Sequence, residues 1–301
     1  MRDRQVDDLR DNNQGNVPEA TTGRTVLVTG ASSGIGRATA VGLAAEGARL
    51  ILVGRSPERC EETLAEIRRR TGRDDAVMLR ADLSSQKEVR RLAEEVLVRA
   101  DRLHVLVNNA GVTLLRRETT ADGLEATFAT NHLAYFLLTG LLLPRLRESA
   151  PARIVNVASD AHRFGRLDLG DLQNEQRYRP MRVYGQSKTA NLLFTQELAR
   201  RLAGSRVTAN ALHPGGIRSN LGRSDGPFAE ALRRVVGLFL KSPEEGARTS
   251  LYLASAPEVE GLSGRYFAKC REHEPAAHAR DPELARRLWE RSEELTGLRY
   301  P

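Results

Sequence analysis

Short apolar runs alternate with longer stretches in which apolar residues recur every three or four positions, and this alternation begins at Thr25. The short runs predict strands at Thr25–Thr29, Arg49–Val53, Ala76–Arg80, His104–Val107, Arg153–Ala158, Arg206–Leu212 and, briefly, Tyr266–Phe267. The longer stretches predict helices near residues 35–46, 57–70, 86–100, 122–149, 183–203 and 243–255. Strands alternating with helices argue for βαβ units, and hence for an α/β fold with a parallel sheet covered on both faces. A last amphipathic stretch, Pro282–Leu298, carries Leu284, Leu288, Trp289 and Leu295 near helical spacing and is read as a packing helix.

Two stretches break the rhythm. Residues 160–182 are long and polar, with scattered Phe164, Tyr178 and Met181. Residues 219–241 begin polar and turn apolar through Leu232, Val235, Val236, Leu238 and Phe239. Both follow strand ends, on the side where open α/β sheets bind ligands. Long loops in a compact domain are usually functional, so both are expected to shape a substrate pocket, the second as a lid. No linker or repeat interrupts the rest. Residues 23–301 are read as one domain, and the Asp-, Arg- and Asn-rich residues 1–22 as a disordered leader rather than a secretory signal.

Composition narrows the class only a little. A 40% hydrophobic and 28% charged chain is ordinary for a globular protein. The richest apolar run, Leu133 to Leu143, is too short for a membrane span, so no integral anchor is expected. Cys60 and Cys270 are in no metal-like spacing, which suggests a reduced, cytoplasmic setting and no metal site. The net charge of +7 comes almost wholly from arginine and raises the question of nucleic acid. The arginines are interspersed with Glu and Asp along the helical stretches, so a solvated surface is the better reading.

The candidate chemistry sits at strand ends. After the first strand come Gly30, Ser32, Ser33, Gly34, Ile35 and Gly36, and the first helix opens there. Glycines let the backbone turn tightly against a pyrophosphate, and a helix N-terminus offers free N–H groups and a positive dipole end. An NAD-preferring site places a carboxylate at the end of the second strand. This chain has Arg55 there, and Arg37 just past the last glycine. Two guanidinium groups suit a 2′-phosphate and favour NADP(H). Asp82 and Leu83 after the third strand could hold an adenine by a carboxylate hydrogen bond and an apolar contact, while Asp82, Ser84 and Ser85 are candidates to cap the following helix. Asn108, Asn109, Ala110 and Gly111 end the fourth strand with residues suited to a close backbone approach and a hydrogen-bonded turn. Ser159 ends the fifth strand, with a hydroxyl able to bond a substrate oxygen. Asn131 lies in an apolar helix, where an amide is costly without partners. His213, Pro214, Gly215, Gly216 and Ile217 break the sixth strand, as a loop passing a bound ring would.

Tyr184 and Lys188, four apart on a predicted helix, share a face. A positive charge beside a phenol favours phenolate, so the Tyr184 pKa is expected to fall from about 10 toward the working pH. Such a group can give a proton to a carbonyl oxygen or take one from an alcohol.

Taken in order, Thr29-Gly30 to Gly36, Asn108 to Gly111, Asn131, Ser159, Tyr184 with Lys188, and Pro214-Gly215 resemble the short-chain dehydrogenase/reductase family over about residues 24–270. The stretches Asn131–Thr139, Arg153–Ser159, Leu193–Leu202 and Arg286–Trp289 resemble its retinol dehydrogenase-like branch. The resemblance implies a Rossmann-type doubly wound sheet of about seven strands, with hydride transfer between a nicotinamide and a carbonyl/alcohol pair. It implies Tyr184 as general acid/base and Ser159 as the group orienting the substrate oxygen. Lys188 would lower the Tyr184 pKa and hold the nicotinamide ribose, and Asn131 would position a water. Residues 214–219, ending in Ser219, would meet the nicotinamide carboxamide. Members of the branch often carry an N-terminal anchor, and the leader here has no apolar segment. A hydrophobic aldehyde, ketone or alcohol is therefore the expected substrate class. Helices 122–149 and 183–203 carry broad apolar faces, as in members that assemble through them, so a homodimer or homotetramer is expected. Two other functions fit less well: a non-catalytic NADPH-binding regulatory module, and a reductase of a conjugated C=C bond.

Overall fold

The computed structural model describes residues 21–215 and 242–301. Eight strands form one sheet in the order β3-β2-β1-β4-β5-β6-β7-β8. They are β1 (Thr25–Thr29), β2 (Arg49–Gly54), β3 (Val77–Arg80), β4 (Val105–Asn108), β5 (Ala152–Val157), β6 (Val207–His213), β7 (Tyr266–Ala268) and β8 (Arg271–His273). The first seven are parallel, and β8 returns antiparallel on β7. The order reverses between β1 and β4, which opens a crevice at their C-terminal ends.

Each central strand is buried on both faces, which explains the continuous apolar runs. Val26 and Val28 pack on one side with α1 (Gly34–Ala45), α2 (Pro57–Thr71) and a helix at Pro243–Ser255. Leu27 and Leu106 pack on the other with α3 (Gln86–Arg99), α4 (Ala126–Glu148) and α5 (Pro180–Arg201). We number Pro243–Ser255 α6 and the C-terminal helix Pro282–Thr296 α7. α4 is long and apolar enough to cross a membrane by composition, yet 94% of that stretch is buried inside the fold, as in a core helix.

Local chemistry sets the ends of α7. Asp281 accepts from the Glu283 and Leu284 amides, Pro282 occupies the first turn, and Gly297 closes it at φ 62°. Its buried face lays Trp289 against Phe194 of α5 and Phe136 of α4. Beyond it, Leu298 and Tyr300 fill the space over Gly140, and the Tyr300 hydroxyl donates to the Phe136 carbonyl at 2.6 Å. The apolar faces of α4 and α5 expected to meet another subunit are covered at these residues by the chain's own C-terminus.

Several boundaries move. Thr21, placed in the leader by sequence, is fully buried and donates to the Glu46 carbonyl at 2.8 Å. α4 is not a uniform helix, since Ala129–Leu133 forms a π turn. Residues 160–182 are not a free loop. Asp160–Phe164 is a 3₁₀ turn, Leu167, Leu169 and Leu172 pack with Phe128 and Leu288, and α5 already begins at Pro180. Many helical arginines behave as surface groups, as where Arg200 and Arg201 both bond Glu197 at 2.7 Å and Arg91 bonds Glu88 and Glu95, whereas Arg153 is buried and donates to the Leu253 and Ala256 carbonyls. The lid expected at 219–241 lies outside the described residues.

Candidate active site

The glycine turn sits at the crevice. Ser33 precedes α1 without bonding it through its side chain, so the helix N-terminus keeps its N–H groups for an anion. Gly30 lies at φ 65°, and a Cβ there would come within 2.7 Å of the Ala110 Cα. A Cβ on Gly36 would lie 2.2 Å from the Gly30 carbonyl oxygen and 2.4 Å from Asn109 Nδ2. The turn is bound tightly to the end of β4. Thr29 Oγ1 accepts from the Asn109 and Ala110 amides at 2.9 and 3.1 Å, and Asn109 Nδ2 donates to the Thr29 carbonyl at 2.8 Å. Asn108 is fully buried and donates to Thr139 and Asn156. The amides at 108 and 109 thus hold strand ends together, and only small residues fit where the turns meet. A dinucleotide fits this cradle: its pyrophosphate would lie on the α1 N-terminus over Ser32, Ser33, Gly34 and Ile35.

The two arginines at this end differ. Arg37 is engaged by Glu66 at 2.5 Å and by Glu62 at 3.3 Å, both on α2. Among the described residues Arg55 meets only Asp82, at 3.5 Å, with both side chains about half exposed. Asp82 also accepts from the Ser84 amide and hydroxyl. Of the three cap candidates at 82, 84 and 85, it is Ser85 that caps α3, accepting from the Glu88 amide. Leu83 is buried in the core beside Val89.

Tyr184, Lys188 and Ser159 converge at the ends of β5 and α5. Lys188 is 2% exposed and donates to the Val157 carbonyl at 3.0 Å. Its ammonium lies 5.5 Å from the centre of the Tyr184 ring and 5.9 Å from that of Tyr135. A Cβ on Gly111 would lie 3.6 Å from it, which brings the end of β4 to the same point. The Tyr184 pKa does not fall as expected. Burial pushes it up to about 12, against a hydrogen bond from Ser159 that pulls it down. Burial also drives Lys188 down to about 7. Desolvation penalises the charged form of each group, and the ammonium faces a carbonyl and the ring rather than a phenolate oxygen.

Asn131 has its partners. Its Oδ1 accepts from the Val112 amide at 2.8 Å, and its Nδ2 donates to the Val112 carbonyl and to Ser187, both at 2.9 Å. The side chain clamps residue 112 to the π turn. Pro214 and Gly215 follow β6 as expected, with Gly215 at φ 94°, while Ile217 and Ser219 lie outside the described residues.

Two features escaped sequence reasoning. Asp160, beside Ser159, accepts from the Tyr266 hydroxyl at 2.9 Å and faces His213 Nε2 at 3.4 Å. One carboxylate thereby links the ends of β5, β6 and β7. Tyr135, 1% exposed, donates its hydroxyl to the Ala110 carbonyl at 2.8 Å. The one available signal was a tyrosine four residues after Asn131 in an otherwise apolar helix.

This arrangement has close counterparts. Residues 24–228 match the short chain dehydrogenase family. The chain belongs to that family. It falls in the retinol dehydrogenase-like branch. It is 46% identical to human retinol dehydrogenase 14 over 301 residues, which cover 95% of this chain and 90% of that protein. It is 45% identical to mouse retinol dehydrogenase 12 over 278 residues, covering 92% and 88%. Among solved structures, a protein of Mycobacterium paratuberculosis superposes with a TM-score of 0.74 at 36% identity, covering 93% of this chain and 96% of that one. The Pseudomonas aeruginosa RhlG/NADP active-site complex superposes at 0.66 with 30% identity, covering 83% and 96%. Family and branch together make the protein an oxidoreductase of small molecules.

Proposed function

We propose that the protein uses NADP(H) to interconvert a carbonyl and an alcohol on a bulky apolar substrate. The observation that carries this reading is the meeting of Tyr184, Lys188 and Ser159 beside an α1 N-terminus left open by its cap residue. NADP(H) bound along the crevice would supply or accept the hydride. The chain's own groups handle the proton. Tyr184 keeps its phenolic proton at neutral pH and gives it to the substrate oxygen, which Ser159 orients. Lys188, poised near neutrality, answers the negative charge that then develops on the phenol.

Preference for NADP(H) rests on Arg55, which stands where an NAD site carries a carboxylate. The preference for an apolar substrate rests on the rim. Leu115, Phe164 and Met181 are each more than half exposed. The backbone beside them gathers at the start of α5: the Tyr178 hydroxyl bonds the Leu114 carbonyl, and Gly165 packs directly on Gly185. Exposed large apolar side chains favour an apolar ligand.

Tyr184→Phe tests the reading. Turnover of aldehydes with NADPH should fall at least 100-fold, as removal of a general acid does, with NADPH affinity within about twofold. Retention of more than about a tenth of the rate would remove Tyr184 from the chemistry. NADPH binding without oxidation by any aldehyde, ketone or enone would instead favour a binding module.

A further inference from the structure

We propose that Tyr135 is a positioning residue of this site, whose ring holds the Lys188 ammonium in its charged form and whose hydroxyl fixes the Ala110 carbonyl beside the cofactor crevice. The proposal rests on the reading of Tyr184 and Lys188 as the reacting pair.

Lys188 is deeply buried, and its surroundings contain little to hold a charge. From its own helix it faces the Tyr184 ring at 5.5 Å, from α4 the Tyr135 ring at 5.9 Å, and from β5 the Val157 carbonyl at 3.0 Å. The Asn131 amide lies near the same point, where both would contact a Cβ at position 111. Among the described residues no carboxylate or guanidinium acts on it; burial alone drives its pKa down to about 7. The electron-rich faces of aromatic rings attract an ammonium, and the attraction strengthens when water is excluded. Two rings and one carbonyl therefore do what a carboxylate does elsewhere. Without a ring at 135, more of the lysine would be neutral at pH 7.

Tyr135 does not compete with Tyr184 as an acid. Burial raises its pKa well above the ordinary value, and the neighbouring Tyr184 raises it further. Its hydroxyl is also committed to Ala110 at 2.8 Å. Asn131, one turn earlier, clamps both backbone groups of Val112. Positions 131 and 135 thus grip residues 112 and 110 from one helix face. Ring and hydroxyl have separable jobs, so substitutions can split them.

The chain has only four lysines, Lys87, Lys188, Lys241 and Lys269, so ¹⁵N-lysine NMR can follow the Lys188 titration directly. Tyr135→Phe keeps the ring, and Tyr135→Met removes it at similar volume. The Lys188 pKa should be unchanged in the Phe variant and lower in the Met variant by about half a unit to one unit. NADPH affinity should drop several-fold in both, since both free the Ala110 carbonyl. The kcat–pH profile should move to lower pH only with Met. Tyr135→pentafluorophenylalanine keeps an aromatic ring and reverses its surface charge; it should lower the Lys188 pKa at least as far as Met does, and serves as the test even if Met fails to fold. Equal Lys188 pKa values in wild type and both ring-perturbed variants, within about 0.2 unit, would overturn the proposal. An NMR shift with no change in the kcat–pH profile would uphold the ring's role and instead count against Lys188 in turnover.

Discussion

Arg55 is the sharpest handle on cofactor choice, because the structure ranks it above Arg37. Arg37 is held by Glu66 at 2.5 Å, and Glu66 is only 17% exposed. Moving that guanidinium to a phosphate would leave a largely buried carboxylate to its longer contact with Arg70, at 3.6 Å. Among the described residues Arg55 is held only by Asp82, at 3.5 Å, beyond the usual range of a good N–H···O bond, with side chains 49% and 45% exposed. A surface pair of that kind is worth about 0–1 kcal/mol, so Arg55 can turn to a 2′-phosphate at little cost. A hydrogen bond to a charged group contributes about 1.5–3 kcal/mol, or roughly 10- to 150-fold in affinity. Arg55→Gln should therefore weaken NADPH binding by at least tenfold and leave NADH binding within about twofold. Arg37→Gln should cost much less in NADPH affinity. Calorimetric titration of both cofactors against both variants, at about 0.15 M ionic strength, measures this without any substrate. Wild-type protein that binds NADH as tightly as NADPH would sink the assignment. A larger loss in Arg37→Gln than in Arg55→Gln would refute the ranking and show that Arg37 leaves α2 when the cofactor binds.

Two further outcomes follow from packing and burial. Gly36→Ala would put a methyl 2.2 Å from the Gly30 carbonyl oxygen, whereas Gly34→Ala meets open space at φ +54°. The first should destabilise the fold by about 1–3 kcal/mol and abolish tight NADPH binding, and the second should show mainly backbone strain of about 1 kcal/mol; urea unfolding with cofactor titration tells them apart, and equal effects would contradict the packing. His132 is fully buried among Phe128, Phe136 and Phe194, and burial lowers its pKa to about 3. The unfolded chain binds that proton near pH 6.5, so the contribution is complete above that pH and is lost as pH falls toward 3. His132→Gln should flatten the decline of the urea midpoint across that window, and an unchanged slope would mean that other groups govern it.

What the sequence disclosed and what it withheld divide along a physical line. The sheet was legible because central strands such as β1, β2 and β4 are buried on both faces and so appear as near-continuous apolar runs. The glycine turn was legible because a Cβ at Gly30 or Gly36 has no room. β8 was not legible: Arg271, Glu272 and His273 are all exposed, and the strand exists only because β7 offers an edge. The π turn at Ala129–Leu133 leaves no periodic trace in a segment whose polar and apolar residues are all buried. The partners of Asn109 and Asn131 lie 80 and 19 residues away, so composition could say that these amides need partners but not which.

The Tyr184–Lys188 pair shows the same division most clearly. Helical spacing correctly put the two side chains on one face. The inference that the lysine lowers the phenol's pKa also required the ammonium to face the phenol oxygen in a polar setting. The fold aims it at the Val157 carbonyl and the ring faces, and buries both groups, so desolvation outweighs attraction. Spacing along a helix fixes direction, whereas the sign of a pKa shift depends on what the rest of the fold brings to that place. Here that contribution is burial by the surrounding strands and helices, with Ser159 acting on Tyr184, invisible to any rule about positions i and i+4.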